Sequence, residues 1–595
     1  MKDRPKLWPT LKKIGLTKPS NDSALKYFSA EELNHHFAKR SSQQNPCSKQ
    51  DLQNILKIPI PSNIKVPFSF SNLNEEVILK SLKSCFSSSK GRSPDGLQLS
   101  TFKDIFFSLV PILTHIYNLS LTSNSFPSAW KKVFLIPLNK KQKPISPSDT
   151  RPIANLSHIS KPFEKILSLQ ICNYLESNNL IDPYQSGFRQ YYSTQSSLIR
   201  ILDDARKSFD DKSVVILISF DLTKAFDSLN HTTLLLRLRE LGFSNSAISW
   251  IHSYLNNRKQ SVINMDGKLT QYIETTSGVP QGSNLGPLLF LIYINSISSY
   301  IMFSKHSLFA DDLQIYFTTK LNNICNALEM ITADAHSIIE WCLGNGLKPN
   351  YQKTAAMILG SSYNLRLLNS LGINSIQING VNIQFTNNIK MLGIYISSDL
   401  SWNIYLNNLT RKVNGVLYRL RYKGNILSLE TKKILVQSLI IPIIDYCCVL
   451  LTDITDELNA KIDRLLNKTI RFIFCLRRDS HITPYRRQLR WLTALSRRKY
   501  FLAMYFYRYH SLQKPTYFNE FIQKIDKNIR RDVRLNPNRD LIYTLPRPAK
   551  DFLKESFFHT AYGLWQTLPI ELKLAPSVET FRVHLFDYLF KLDPH

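Results

Sequence analysis

The chain lacks the cysteine spacing of a structural metal site. Its eight cysteines, at 47, 85, 172, 325, 342, 447, 448 and 475, contain no Cys-x-x-Cys pair. That excludes a zinc knuckle and predicts reduced, buried thiols of an intracellular protein, in the nucleus or the cytoplasm. No secretory or transit segment opens the sequence, since Met1-Lys2-Asp3-Arg4-Pro5 is charged and no apolar core follows. An uninterrupted apolar run of membrane-spanning length is also missing. Ile434 to Leu451 comes nearest, but Gln437, Pro442 and Asp445 break it, which predicts a buried helix or helix pair and no membrane partner. There is no internal repeat. Acidic residues are few beside basic ones, 45 against 75, for a net charge of +30 and a pI near 9.7. That excess points to a polyanionic partner; nucleic acid is favoured, and an anionic membrane surface shares the signature. With 595 residues, 43% of them hydrophobic, the chain has core enough for several domains and is not disordered as a whole.

Two short runs carry the chemistry. Phe220-Asp221-Leu222-Thr223-Lys224-Ala225-Phe226 follows the β-branched stretch Val214-Val215-Ile216-Leu217-Ile218, which places Asp221 at the end of a buried strand. Phe309-Ala310-Asp311-Asp312 lies between two strand-like pieces, so its acids fall at a hairpin turn. Carboxylates suit hard cations, and nucleotidyl transfer uses two of these about 3.5–4 Å apart. Other acid pairs, Asp203-Asp204 and Asp210-Asp211, read as a solvated helix face. Between the two runs lies Ser277-Gly278-Val279-Pro280-Gln281-Gly282-Ser283-Asn284-Leu285-Gly286-Pro287. Its small residues permit a loop whose backbone comes close to a nucleotide or template base, or an ordinary turn before a buried helix.

Further elements occur in a fixed order. Lys90-Gly91-Arg92-Ser93-Pro94-Asp95-Gly96-Leu97 comes first, then Trp130 to Lys140, Arg151-Pro152-Ile153-Ala154-Asn155-Leu156 and Gln185-Ser186-Gly187-Phe188-Arg189. Leu347-Lys348-Pro349-Asn350-Tyr351-Gln352-Lys353-Thr354 and Lys390-Met391-Leu392-Gly393-Ile394 close the series. In this order they resemble the reverse transcriptases of non-LTR retrotransposons, the jockey-like lineage in particular, over residues 76 to 400.

The resemblance implies roles. Asp221, Asp311 and Asp312 correspond to the catalytic acids, holding two Mg²⁺ or Mn²⁺ ions with the carbonyl of Leu222. Phe226 takes the position of a steric gate against the ribose 2′-hydroxyl. Lys140 and Arg151 grip the triphosphate, chemistry that suits a Lys point charge and an Arg fork. Gln281 faces the nascent base pair, Lys353 protonates the departing pyrophosphate, and Leu392-Gly393 resembles the primer grip. Arg189 is counted with the nucleic-acid contacts. Asp227 reads as structural, next to cap-type residues before a helix.

The domain reading follows from these positions. Residues 1–75 form an N-terminal linker region with short helical pieces, 76–400 the fingers and palm (core motifs 119–396), 401–460 a helical thumb and 461–595 a basic C-terminal region. Leu406, Leu409, Val413, Val416, Leu417 and Leu420 fall on one helical face. From Lys461 to Arg508, thirteen Lys or Arg stand against Asp463 and Asp479, interleaved with nine aromatics. They are either a nucleic-acid surface, with Arg486, Arg487, Arg490, Arg497 and Arg498 on it, or core rings beneath a solvated face. No endonuclease or ribonuclease H element is recognisable. The expectation is an α+β right-hand polymerase that extends a DNA primer with dNTPs on an RNA template. The alternative is a truncated or domesticated copy that binds nucleic acid without catalysis.

Overall fold

The computed structural model describes residues 23–42, 45–86, 93–96, 105–223, 225–422, 424–524 and 543–593. Residues 1–22 of the expected linker region, Lys90 to Arg92, Leu97 and Lys224 lie outside the described residues.

Strand Val214–Phe220 is central to an antiparallel sheet ordered Ala355–Leu359, Val214–Phe220, Asp312–Thr319, Lys305–Phe309. Val215 and Leu217, with Tyr316 and Met357, share a core with Leu198, Leu202 and Ala205 of helix Thr194–Asp210. Val214, Ile216, Ile218 and Phe220 share the opposite core with helices His231–Glu240, Gly286–Ile294 and Ile324–Gly344. Neither face is wet, and that is why the strand reads as a continuous apolar run and not as an alternating one.

A second sheet, ordered Thr150–Asn155, Lys132–Asn139, Arg258–Val262, Ile273–Thr275, forms the fingers. Helix Ala30–Arg40 begins at Ser29, whose Oγ accepts the Glu32 N–H at 3.0 Å. It lays Leu33 and Phe37 on Val133, Leu135, Ala154 and Val262 of that sheet. Asn34 Nδ2 donates to Thr270 Oγ1 at 2.9 Å and to the Gln271 carbonyl at 2.8 Å. Helix Ala30–Arg40 of the N-terminal region is therefore a packed layer on the fingers sheet and not a linker. The apolar stripe is only three turns long between polar segments, too short to stand out in the sequence.

Helices Asn403–Tyr422, Leu429–Leu439, Ile441–Asp445 and Asp456–Phe474 follow the palm, and Leu406, Leu409, Val413, Leu417 and Leu420 are buried as their spacing predicts. The stretch Leu429–Leu450 is apolar and long enough to cross a membrane, but half of it is buried here and it is broken into short helices before Pro442. A boundary at 460 falls inside helix Asp456–Phe474. One core runs from the thumb through Ala494–Leu512, Phe557–Thr567 and Val578–Leu592 to the palm helix Thr194–Asp210. The aromatics after 461 pack inside it, Tyr507 stacking on Phe581 with ring centroids 4.0 Å apart. They serve as core, which explains their helical spacing.

The acids of helix Thr194–Asp210 correct a second expectation. Asp203, Asp204 and Asp210 are buried and not solvated. Asp203 accepts the N–H groups of Phe557 and Phe558 at 2.9 and 3.2 Å, and Asp210 those of Ala549 and Lys550 at 2.6 and 2.9 Å. These carboxylates cap the C-terminal segment from more than 300 residues away, a pairing without any local pattern.

Candidate active site

The turn that carries the paired acids is held from below. Phe309 pairs with Asp312 across the hairpin, leaving Ala310 and Asp311 as its two-residue loop, and Ala310 adopts a left-handed φ of 58°. A non-glycine residue there needs support. Gln185 supplies it: its Oε1 accepts the N–H of Ala310 at 3.0 Å and of Gly187 at 2.7 Å. Ser186 N–H donates to the Leu308 carbonyl at 2.8 Å, so this element runs along the outer strand. A Cβ on Gly187 would lie 2.3 Å from the Ala310 nitrogen. The Gln-Ser-Gly sequence is thus the cradle of the turn that carries Asp311 and Asp312.

Asp221 follows the Phe220–Leu313 pair, at the sheet end where Asp311 and Asp312 emerge. Its carbonyl accepts the Asn350 N–H at 2.8 Å, and Leu222 stands opposite Pro349. In an antiparallel ladder this makes Leu222–Pro349 a non-hydrogen-bonded pair, so the Leu222 carbonyl is directed off the ladder. Burial raises the Asp311 carboxyl above the usual range, with Asp221 adding to it. Asp312, more exposed, is pushed up to about 6 by desolvation and then by Asp311 and Asp221. Clustered carboxylates that resist ionising together are a donor set for a hard divalent cation. Among the described residues no three such side chains already close on one point. Lys353 Nζ, 3.2 Å from Asp221 Oδ2, supplies the countercharge to that carboxylate.

A cleft of about 800 Å³ opens beside these acids, lined by Asp221, Leu222, Phe226, Asp311, Gln281, Lys353, Lys140 and Arg151. Asp312 is not among its lining residues. Lys140 directly follows the first strand of the fingers hairpin and Arg151 lies in the second. Lys140 Nζ donates to the Ser148 carbonyl at 3.1 Å, and its pKa is lowered by burial and by the neighbouring Arg40 and Arg151. Phe226 is half-buried and stacks on Phe290 at 4.4 Å, with its remaining surface in the cleft. The Gly-Val-Pro-Gln-Gly loop is fixed by close backbone approach: a Cβ on Gly278 (φ +78°) would meet the Asp227 carbonyl at 2.7 Å, and one on Gly282 (φ +130°) the Ala154 carbonyl at 2.6 Å. Gln281 Nε2 donates to Asp227 Oδ1 at 2.7 Å, so the structural reading of Asp227 becomes specific: it orients Gln281. The turn Leu392-Gly393 lies against the thumb, its Leu392 carbonyl accepting the Tyr446 hydroxyl at 2.6 Å.

Other assigned residues are engaged elsewhere. Arg189 holds Glu176 through Nε and Nη2 at 2.8 and 3.0 Å, donates to the Asp182 and Gln185 carbonyls, and lies 4.1 Å over Tyr192. It braces the Gln185 element through these contacts. Arg497 makes a two-pronged ion pair with Asp445, and Arg498 is buried with Nη1 on Asn459 at 3.0 Å. Arg490 pairs with Asp587 and Arg486 with Asp593 at 3.8 Å. Arg487 is exposed. Four of these five arginines are therefore engaged as braces within the thumb and C-terminal region. Missed by the sequence reading is Arg40, which lines the same cleft; its only sequence signal is a basic residue ending a helix.

The family model for reverse transcriptase (RNA-dependent DNA polymerase) matches residues 138–396. The chain is 26% identical over 399 residues to a probable RNA-directed DNA polymerase from transposon BS of Drosophila melanogaster, covering 66% of this chain and 42% of that protein. It is 24% identical over 398 residues to the RNA-directed DNA polymerase from mobile element jockey of the same organism, covering 65% and 42%. The chain thus spans less than half the length of either relative. A solved telomerase from Candida albicans, in complex with a fragment of telomeric RNA, aligns with a TM-score of 0.33 at 13% identity, covering 66% of this chain and 69% of that one. Residues 138–396 thus match the reverse transcriptase family, and the chain is similar over about two thirds of its length to the RNA-directed DNA polymerases of these mobile elements.

Proposed function

We propose that the chain is an RNA-directed DNA polymerase that adds dNTPs to a DNA primer on an RNA template. The observation that carries this reading is the cleft in which Asp221, Asp311, Leu222, Lys140, Arg151, Lys353, Phe226 and Gln281, spread between 140 and 353 in sequence, come together. Family membership implies dependence on a divalent metal. Asp221, Asp311, Asp312 and the Leu222 carbonyl would hold two Mg²⁺ or Mn²⁺ ions, which when bound activate the primer 3′-hydroxyl and neutralise the leaving pyrophosphate. Lys140 and Arg151 neutralise the triphosphate and hold it in line. Phe226, backed by Phe290, lies beneath the sugar and excludes a 2′-hydroxyl. Gln281, held by Asp227, presses on the nascent base pair. Lys353, whose ammonium pairs with Asp221 at 3.2 Å, would supply the proton to the leaving group.

The test is primer extension by the purified chain on poly(rA)/oligo(dT) with Mg²⁺ or Mn²⁺. Wild type is expected to incorporate dTTP. Asp221→Ala and Asp311→Ala are expected to lose at least about a hundredfold in rate while template–primer affinity holds. Metal-dependent activity retained in either variant overturns the assignment.

A further inference from the structure

Helix Ala30–Arg40 delivers a charged side chain that the reading above leaves without a task. Arg40, its last residue, is 3% exposed and lines the cleft with Lys140, Arg151 and Lys353. Its Nε and Nη2 have no hydrogen-bond partner among the described residues. A fold rarely buries unsatisfied charged donors unless something else completes them. The guanidinium carbon lies 5.7 Å from the centroid of the Phe37 ring, a cation–π contact that gives its N–H groups no oxygen acceptor. Asp227, the carboxylate that acts on Arg40, directs Oδ1 to Gln281.

The position of Arg40 is rigid. The helix is docked on the sheet through Leu33 and Phe37, and the next carbonyl, that of Ser41, accepts the N–H groups of both Thr276 and Ser277 at 2.8 Å. Arg40 is therefore held between the hairpin bearing Lys140 and Arg151 and the loop bearing Gln281. Arg40 and Arg151 both act on Lys140. Cations gathered this closely repel one another until a polyanion sits among them.

We propose that Arg40 is a substrate-binding residue whose N–H edge grips the phosphates of the incoming nucleoside triphosphate beside Lys140 and Arg151. The proposal rests on the polymerase reading above. A guanidinium edge matches phosphate oxygens two at a time, which a lysine cannot do. A template phosphate offers the same chemistry, but Arg40 shares its cleft with Asp221 and Asp311, where a nucleotide reacts.

The experiment compares full-length wild type, Arg40→Gln and Arg40→Lys in dTTP incorporation on poly(rA)/oligo(dT), with template–primer binding and inorganic pyrophosphate binding measured separately. Arg40→Gln is expected to raise the KM for dTTP and the Kd for pyrophosphate roughly tenfold or more, with template–primer Kd unchanged. Arg40→Lys, which keeps the charge and spares the fold if Gln does not, is expected to fall between. Unchanged dTTP KM and pyrophosphate Kd in either folded variant overturn the proposal while the polymerase reading stands. A rise confined to template–primer Kd also overturns it, making Arg40 a template contact. If wild type incorporates nothing, the polymerase reading fails, and weaker pyrophosphate binding by the variants still upholds Arg40 as a polyphosphate ligand.

Discussion

Gln185 Oε1 accepts the backbone N–H of Ala310 at 3.0 Å, so a side chain over 120 residues upstream fixes the turn that presents Asp311 and Asp312. The same oxygen accepts the Gly187 N–H at 2.7 Å, and the missing Cβ of Gly187 lets the two backbones touch. Gly187→Ala must push the turn aside, because its Cβ would meet backbone at 2.3 Å and not a yielding side chain. Extension is expected to fall about a hundredfold, with a stability loss of roughly 1–3 kcal/mol. Gln185→Leu, which fills the space without an acceptor, is expected to act in the same direction, and Gln185→Glu, which keeps the acceptor, less. Single-turnover rates beside urea midpoints check this; a Gly187→Ala enzyme at wild-type rate shows that the turn does not need its cradle.

Phe226 stacks on Phe290 at 4.4 Å and lines the cleft as well, so packing and gating make separable predictions. Phe226→Val is expected to lower the preference for dNTP over rNTP about tenfold or more in kcat/KM. The lost ring contact is expected to reduce stability by roughly 1–2 kcal/mol. A lower Tm with an unchanged nucleotide ratio assigns Phe226 to the core alone.

What the sequence disclosed depended on how local each cause was. Asp221 and the Asp311-Asp312 turn stood out because strand patterning and a short hairpin surround them, and the glycines of the Gln281 loop because close approach demands them. Arg40 did not, since its role arises only when its helix docks on a sheet formed by residues 132–275. Asp203 and Asp210 looked like surface charges because their N–H partners, at 549–558, are distant in sequence. The engagement of Arg486, Arg490 and Arg497 was hidden for the same reason: their partners Asp593, Asp587 and Asp445 lie outside the stretch in which charges were compared.

His231 is buried, with Nε2 2.8 Å from the Gly278 carbonyl, and burial lowers its pKa to about 4 from 6.5. A base with a depressed folded pKa contributes stability that is complete above pH 6.5 and lost as pH falls toward 4, because the unfolded state takes up the proton first. The loss is expected to approach about 3 kcal/mol at most. Asp203 works oppositely, its carboxyl raised by burial to about 6 from 3.8, so it gains stability as pH falls through that range. Comparison with His231→Gln isolates the histidine. Urea midpoints at pH 7.5 and 4.5 are expected to differ more in wild type than in the variant, and equal differences remove His231 as the source.

The nucleic-acid anchor has to be sought where cations are exposed. Helix Asn403–Tyr422 buries Leu406, Leu409, Val413 and Leu417, and its outer side presents Arg411, Lys412, Arg421 and Tyr418, the last 76% exposed. Lys412 borders the same pocket as Gly393 of the Leu392-Gly393 turn. Phosphate contacts release counterions, and each lost contact is expected to lower the salt slope of log Kobs by about 0.7–0.9. Arg411→Gln, Lys412→Gln and Arg421→Gln together are thus expected to weaken template–primer binding and flatten its salt dependence with little change in Tm. Arg497→Gln is expected to do the reverse: it strands Asp445, a loss of about 3 kcal/mol for a buried pair, reduced here because both side chains retain some solvent contact. Its salt slope should match wild type. Filter binding from 50 to 300 mM salt, beside thermal melts, separates the two; a flattened slope in Arg497→Gln with an unaltered one in the triple variant would return the anchor to the C-terminal helices.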